Sequence, residues 1–378
     1  MRTLLDVLIV LSAIAAAAWM WLTVGRGLYW RTDQRMPPAT APDTWPDVAV
    51  VIPARDEAAV LPDSLPTVLA QEYPGRVRVI LVDDGSTDGT GDLARELGAE
   101  VLAAAEPDAG WTGKLWALRS GIAAAGEPAY LLLTDADIAH RPDSLAALVA
   151  AAEGNGLDLV SQMARLRTES PAERLIVPAF VYFFALLYPF RWVNRLGTRT
   201  AAAAGGCSLV RRSALERAGG VAAIRGAVID DVALARAVKR AGGRIWLGLA
   251  DRVASVRPYP DLGALWRMVA RSAYAQLRRS PLLLAGTVLG LAVLFGVPVA
   301  ATAGLFAGRW LAGGIGAATW LLMAATYLPM LRYHGRAAPA ALLLPATAAV
   351  YAAMTVDSAI RHYRGRGAAW KGRTYGAR

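Results

Sequence analysis

Four long apolar runs decide what this chain can fold into. Leu4 to Val24 carries only Asp6, while Leu282 to Ala307, Trp310 to Leu331 and Ala340 to Val356 carry no charge. The first three are long enough to cross a hydrocarbon core of about 30 Å as helices, and the fourth is at the lower limit. They lie at the two ends, so the chain reads as an integral membrane protein with a polar middle. This is where the excess apolar composition resides: 55% of residues are hydrophobic and the mean hydropathy is +0.36.

The first run continues past a signal peptide's usual apolar length. Arg26, Arg31 and Arg35 follow it, against only Arg2 before it. The positive-inside rule therefore expects a multi-pass protein of the inner (cytoplasmic) membrane, with its middle facing the cytoplasm. The expected organisation is a transmembrane helix over 1–28, a polar domain over 47–280, hydrophobic segments over 281–359 and a basic tail over 360–378. The tail holds Arg361, Arg364, Arg366, Lys371, Arg373 and Arg378 with no acid, which expects it in the cytoplasm too. Three crossings after the polar domain would leave it outside. Ala340–Val356, the shortest run, with Pro339 and Pro345 at its start, is the one expected to re-enter or lie at the interface.

The net charge of +10 comes without a basic stripe interleaved with aromatics, so nucleic acid is not an expected partner. Cations beside apolar segments fit anionic headgroups instead. Cys207 is the sole cysteine and the three histidines are far apart, which excludes an intrachain disulfide and a His-based zinc site.

The middle alternates strand and helix patterns. "VAVVIPARDE", "VRVILVDDGSTDGTGDLARELGA" and "AYLLLTDAD" each run from a β-branched or aliphatic strand into charge. Such alternation means βαβ units and a mostly parallel sheet, with ligands beyond the carboxyl ends of the strands. The charged residues gather at those ends: Arg55, Asp56 and Glu57, then Asp83 and Asp84, then Asp135 and Asp137. A helix cap accounts for one of Asp135 and Asp137; a divalent cation accounts for both. Gly89 to Ala94 matches the dinucleotide pattern G-x-G-x-x-A, but it lies too far past the strand, behind three aspartates.

The ordered motifs "VVIPARDE", "VDDGSTDGT", "GWTGKLWAL", "TDAD", "GGCSLVRRSALERAGGV" and "IDDVALARAVKRAGGRIWL" resemble the family 2 glycosyltransferases of GT-A fold. The chain is most similar to the membrane-bound glycosyltransferases associated with hopanoid biosynthesis, over nearly its whole length, including "LLYPFRWVNRLGTRTAAAAGGCSL" and "WKGRTY". The resemblance implies a Rossmann-like GT-A domain flanked by transmembrane helices. It implies transfer from a nucleotide sugar, a UDP-sugar, to a lipid acceptor of hopanoid or polyisoprenoid type. Pro53, Ala54, Arg55 and Glu57 would line the base and ribose pocket, and Asp83 or Asp84 would contact uracil. Lys114 would approach the nucleotide, and Asp135 the ribose side. Asp137, with Asp135, would hold Mg²⁺ or Mn²⁺. Asp230 and Asp231 stand where the family carries Glu-Asp, so Asp231 would be the general base of an inverting transfer. Gly205 and Gly206 would let the backbone approach sugar or acceptor.

Where processive members carry Q-x-x-R-W, this chain has Met268 to Ser272 and keeps only Arg271. That implies a single transfer and leaves Arg271 between a phosphate and a headgroup role. Arg174 to Trp192, apolar but interrupted by Pro178 and Pro189, is expected as interfacial helices over 174–192 near the acceptor. A buried core helix is the other reading of that stretch. The rival functions are a polyprenyl-phosphate glycosyltransferase and an inactive scaffold of the same fold.

Overall fold

The computed structural model describes residues 2–365, 369–370 and 373–374. An apolar helix, α1 (Arg2–Gly25), leads into the polar domain. Its first half is β1 (Val48–Ala54), α2 (Leu61–Leu69), β2 (Val77–Asp83), α3 (Thr90–Glu96), β3 (Glu100–Ala103), α4 (Gly113–Ala124) and β4 (Tyr130–Thr134). Then come β5 (Ile138–His140), α5 (Ser144–Asn155), β6 (Leu159–Arg165), α6 (Pro171–Leu187) and a single turn, α7 (Phe190–Val193). The domain closes with β7 (Cys207–Arg211), α8 (Arg212–Arg217), α9 (Asp230–Arg240), β8 (Ile245–Ser255), α10 (Leu262–Ala270) and α11 (Ala273–Gln276). The C-terminal bundle is α12 (Pro281–Leu291), α13 (Val297–Ala303), α14 (Trp310–Tyr333) and α15 (Leu344–Tyr363).

The eight strands form one sheet in the order β3-β2-β1-β4-β7-β6-β8-β5. The β3-β2-β1-β4 half is parallel, as the alternation predicts. The other half is mixed: β7 runs antiparallel to both β4 and β6, β6 and β8 are parallel, and β5 is antiparallel to β8. β1 is flanked by β2 and β4, so the chain order reverses there and a crevice opens at its carboxyl end. Pairing of β1 with β4 stops at Val51↔Leu133, while pairing with β2 continues to Ala54↔Asp83. Pro53, which has no N–H to donate, lies past the last β4 pair.

Strand alternation divides the core. Val50, Ile52, Tyr130 and Leu132 pack on one face with α5 residues such as Leu145 and Leu148. Val51, Val82, Leu131 and Leu133 pack on the other, in a cluster that continues through Ile176 and Tyr182 of α6 into Tyr327 and Tyr351 of the C-terminal bundle. The apolar helices are thus built onto this layer of the sheet.

Five helical segments are long and apolar enough to cross a membrane among the described residues: the four expected ones and Pro171–Val193. The last differs from the expectation. Helix α6 runs through Pro178, and only Pro189 interrupts the segment. Pro178 is tolerated because its ring is buried against neighbouring helices, which supply packing that offsets the lost hydrogen bond. The Tyr182 hydroxyl bonds both Tyr29 Oη and Thr326 Oγ1 at 2.8 Å, tying α6 to the segment after α1 and to α14.

Both α14 and α15 end against the polar domain. Tyr333 Oη donates to the Ala250 carbonyl of β8 at 2.7 Å. Trp266 Nε1 donates to Asp357 Oδ2 at 2.7 Å, and Tyr274 N donates to Ser358 Oγ at 3.0 Å. Between them, Trp320 Nε1 of α14 reaches the Leu342 carbonyl, so the chain before α15 has turned back alongside α14.

Candidate active site

The loops after β1 and β2 are stitched together by side chains. Asp56 takes a left-handed φ of 50°, and its carboxylate accepts from Thr87 N at 2.8 Å. Asp56 N donates to Ser86 Oγ, Glu57 N to Thr90 Oγ1 and Ala58 N to Asp88 Oδ2. Asp83 is drawn into the turn, where its Oδ1 accepts from Ser86 N at 3.0 Å. Asp84 is buried beside Arg55, whose Nη1 lies 3.6 Å from Asp84 Oδ2 and also donates to the Asp84 carbonyl. Of the two aspartates, Asp84 is fixed at the base of the crevice and Asp83 shapes its rim. The dinucleotide-like glycines belong to this rim: Gly89 caps α3 with φ 85°, and a Cβ on Gly91 would lie 2.7 Å from Asp83 Oδ2.

Neither Asp135 nor Asp137 caps a helix, because β5 intervenes before α5 begins at Ser144. Lys114, in the first turn of α4, places Nζ 2.8 Å from Asp135 Oδ1 and 3.1 Å from Asp230 Oδ2. Burial works against the lysine's charge, but Asp135 and Asp230 outweigh it and raise its pKa. Asp135 is pushed up by burial, with Lys114 opposing. Asp137 accepts from Ser255 Oγ at 3.1 Å and from Arg257 Nε at 2.8 Å.

Asp230 and Asp231 open α9, but Asp231 is directed to the loop before β7: its Oδ2 accepts from Gly205 N at 2.9 Å and its Oδ1 from Val232 N at 2.7 Å. Burial, then the charge of Asp230, raises its pKa well above the usual carboxylate range, with Lys114 and the two N–H donors pulling the other way. Gly205 stands among all of these. A methyl group there would lie 3.2 Å from Lys114 Nζ, 3.6 Å from Asp231 Oδ2 and 3.7 Å from Asp135 Oδ2. Pro53, Lys114, Asp135, Gly205, Asp230 and Asp231 line one cavity.

Gly206 and Arg271 are not among the residues that line this cavity. Gly206 is turned from the carboxylates; a Cβ there would meet Ile138 and Ala164, so its smallness serves packing. Arg271 is exposed at the end of α10. Burial and Asp137 raise the pKa of Tyr259, and the charge of Arg271, with that of Arg257, acts to lower it. Two residues were missed. Arg257 pairs with both Asp137 and Glu57 from the end of β8. Its signal was the same one used for the other strands, charge just past a buried run, in "ASVRPYP". His140 is buried between Thr134 Oγ1 and Ser144 Oγ, and burial pushes its pKa down to about 4, so a neutral ring braces the end of β4.

Among the described residues no group of three or more His, Cys, Asp or Glu gathers as a metal cage. The donor chemistry still suits a hard divalent cation. Four carboxylates pair with two cations, Asp135 and Asp230 with Lys114 and Glu57 and Asp137 with Arg257, and Asp231 adjoins the first group across Gly205. Mg²⁺-type ions commonly take one or two carboxylates and complete their shell from phosphates and water.

Residues 49–219 match the family model for glycosyl transferase family 2. The 4,4'-diaponeurosporenoate glycosyltransferase of Staphylococcus haemolyticus (strain JCSC1435) is 37% identical over 98 residues, which cover 25% of this chain and 25% of that protein. Glycosyltransferase AglE of Haloferax volcanii is 33% identical over 123 residues, 31% of this chain and 39% of that protein. The chain thus spans well under half the length of these curated relatives. A solved structure, the mannosyltransferase PcManGT from Pyrobaculum calidifontis in complex with GDP-Man and Mn²⁺, superposes with a TM-score of 0.57 at 22% identity. The match covers 93% of this chain and 99% of that one, and the fold is GT-A.

Proposed function

We propose that this chain, whose residues 49–219 match the family 2 glycosyltransferase model, carries out a membrane-bound, inverting transfer of a sugar from a nucleotide sugar to a lipid hydroxyl. The observation that carries this is the environment of Asp231. A carboxylate with a raised pKa, oriented by two backbone N–H groups and adjoining the Lys114–Asp135 pair, suits a general base. In the proposed step the acceptor oxygen attacks the anomeric carbon as its proton passes to Asp231. The bond from that carbon to the diphosphate oxygen breaks, and the electron pair leaves with the diphosphate. One displacement inverts the configuration. Gly205 gives the reacting groups room, and Lys114 keeps Asp230 and Asp135 in register. Arg55 and Asp84 form the floor against which the base would sit. Mg²⁺ or Mn²⁺ held by Asp135 and Asp137 would supply neutralisation of the leaving diphosphate.

We assign a UDP-sugar as donor and a hopanoid or other polyisoprenoid-type lipid as acceptor. Support for an apolar acceptor comes from the core shared by the domain and its apolar helices, and from a relative named for 4,4'-diaponeurosporenoate. PcManGT carries GDP-Man, so a GDP-sugar is the competing donor. The cationic residues after α1 support a domain on the cytoplasmic face of the inner membrane. The test supplies the purified chain in lipid nanodiscs with labelled UDP- and GDP-sugars and lipid extract, alongside lipid profiles of cells with and without the protein. A new glycolipid that depends on Asp231 is the expected product. No sugar on any lipid with either donor class would refute the proposal.

A further inference from the structure

Arg257 lies two residues past β8. Its Nε donates to Asp137 Oδ2, in the turn between β4 and β5, and its Nη2 donates to Glu57 Oε2, in the loop after β1. One guanidinium therefore joins two loops that would both touch a bound donor. The Glu57 and Asp137 side chains are only 8% and 13% exposed, and Arg257 is 27% exposed. Removing the partner of a covered carboxylate leaves an uncompensated charge, so each needs a cation at hand.

The backbone beneath Arg257 is held on both sides. Val256 N donates to the Asp137 carbonyl at 2.8 Å, and Arg167 Nη1 donates to the Val256 carbonyl. Tyr259 N donates to Glu173 Oε1 at 2.7 Å, and Ser170 Oγ donates to the Tyr259 carbonyl at 2.8 Å. Any movement is left to the side chain. The two ion pairs use two of the guanidinium's five N–H donors. If Asp137 turns to a divalent cation, its attraction for Arg257 is replaced by repulsion from that cation. The nearest group able to take the fork is then the diphosphate that arrives with the cation, because a planar guanidinium matches phosphate oxygens two at a time.

Building on the transferase reading, we infer that Arg257 is a two-position donor-binding residue, parked across Glu57 and Asp137 in the empty chain and turned onto the donor's diphosphate when Asp137 holds a cation. No covalent bond changes in this exchange. The full chain in nanodiscs, titrated calorimetrically with UDP and UMP and, where GDP binds instead, with GDP and GMP in their place, with and without Mn²⁺, tests it. Wild type is expected to prefer UDP over UMP when Mn²⁺ is present. Arg257→Ala should lose about tenfold of that preference, as for loss of a charge-assisted contact, with UMP binding unchanged. Arg257→Lys, which keeps the charge but not the fork, should retain part of it and guards against a misfolded alanine variant. Equal losses for UDP and UMP, or no loss in either variant, would overturn the inference and leave Arg257 as a loop brace. A wild-type chain that binds neither UDP nor GDP would overturn the transferase reading, and this inference with it.

Discussion

Asp231 combines two demands that oppose each other. Its raised pKa makes it a better proton acceptor near neutrality and a worse contributor to stability. The folded state holds its proton where the unfolded chain has released it, so this group's contribution to stability falls as pH rises through the raised value. Activity runs the other way, since the base must be ionised. The acid limb of the kcat profile is therefore expected well above the ordinary carboxylate value of about 4. A limb near that ordinary value in a pH series would count against Asp231 as base. Asp231→Asn should keep the donor bound and lower turnover by ~10²–10⁴, read as single-turnover transfer beside nucleotide calorimetry. Gly205→Ala needs no left-handed backbone and should fold, but its methyl would stand among Lys114, Asp135 and Asp231. Turnover should drop by roughly 10²-fold through displaced reactants; an unchanged rate with an unchanged melting temperature would show that the space is not used. Asp135 was legible as charge past a buried strand, whereas Lys114, Gly205 and Asp231 were reached through the family resemblance. The difference between Gly205 and Gly206 was not legible, because two adjacent glycines look alike in sequence while their Cβ directions diverge, one toward the carboxylates and the other toward Ile138.

At the scale of elements, α6 matters more than its sequence suggested. It opens with a capping box in which Ser170 Oγ accepts from Glu173 N, and the Glu173 carboxylate accepts from Ser170 N. The same carboxylate also accepts from Glu169 N and Tyr259 N, each at 2.7 Å. One buried acid thus joins the start of an apolar helix to the loop that carries Arg257. Glu173→Ala leaves three N–H groups without this acceptor and should cost about 1–3 kcal/mol. Denaturation of the variant checks the stability, and donor affinity checks the link to the loop; loss of neither would mean the join is incidental. "SPAE" is a readable cap signal. The second partner, Tyr259, is 86 residues further along the chain and no local pattern reports it.

For the whole molecule, the ends of the apolar helices bear on topology. Helix α12 starts just beyond α11, and α14 and α15 both finish against the polar domain through Tyr333, Asp357 and Ser358. This arrangement supports a hairpin of α12–α13 with α14, followed by a segment that enters and leaves on the domain's side. We propose that Ala340–Val356 does not cross; by length and composition α15 with its preceding turn is a candidate span. Of "WKGRTY", only Trp370, Arg373 and Thr374 are among the described residues. Arg364 is exposed just after α15. With Cys207 replaced by Ser, Arg364→Cys in intact cells should resist a membrane-impermeant thiol reagent and react after lysis. Labelling in intact cells would place the end of α15 outside and break the proposed topology.

The sequence by itself determined the apolar ends, the alternating middle and the strand-end charges. Each depends on local period or on the abrupt end of a buried run, which the pleat and the helix turn translate directly into position. Tertiary structure decided what those charges do to one another. Arg257 meets Glu57, 200 positions away, because β1 and β8 end on one edge of a single sheet, and Lys114 meets Asp230 where the starts of α4 and α9 come together. It also decided that α6 is a packed helix through Pro178, since burial against α14 and α15 overrides a local helix-breaking preference. Pairings of that range follow from how the layers close, and no stretch of the chain contains them.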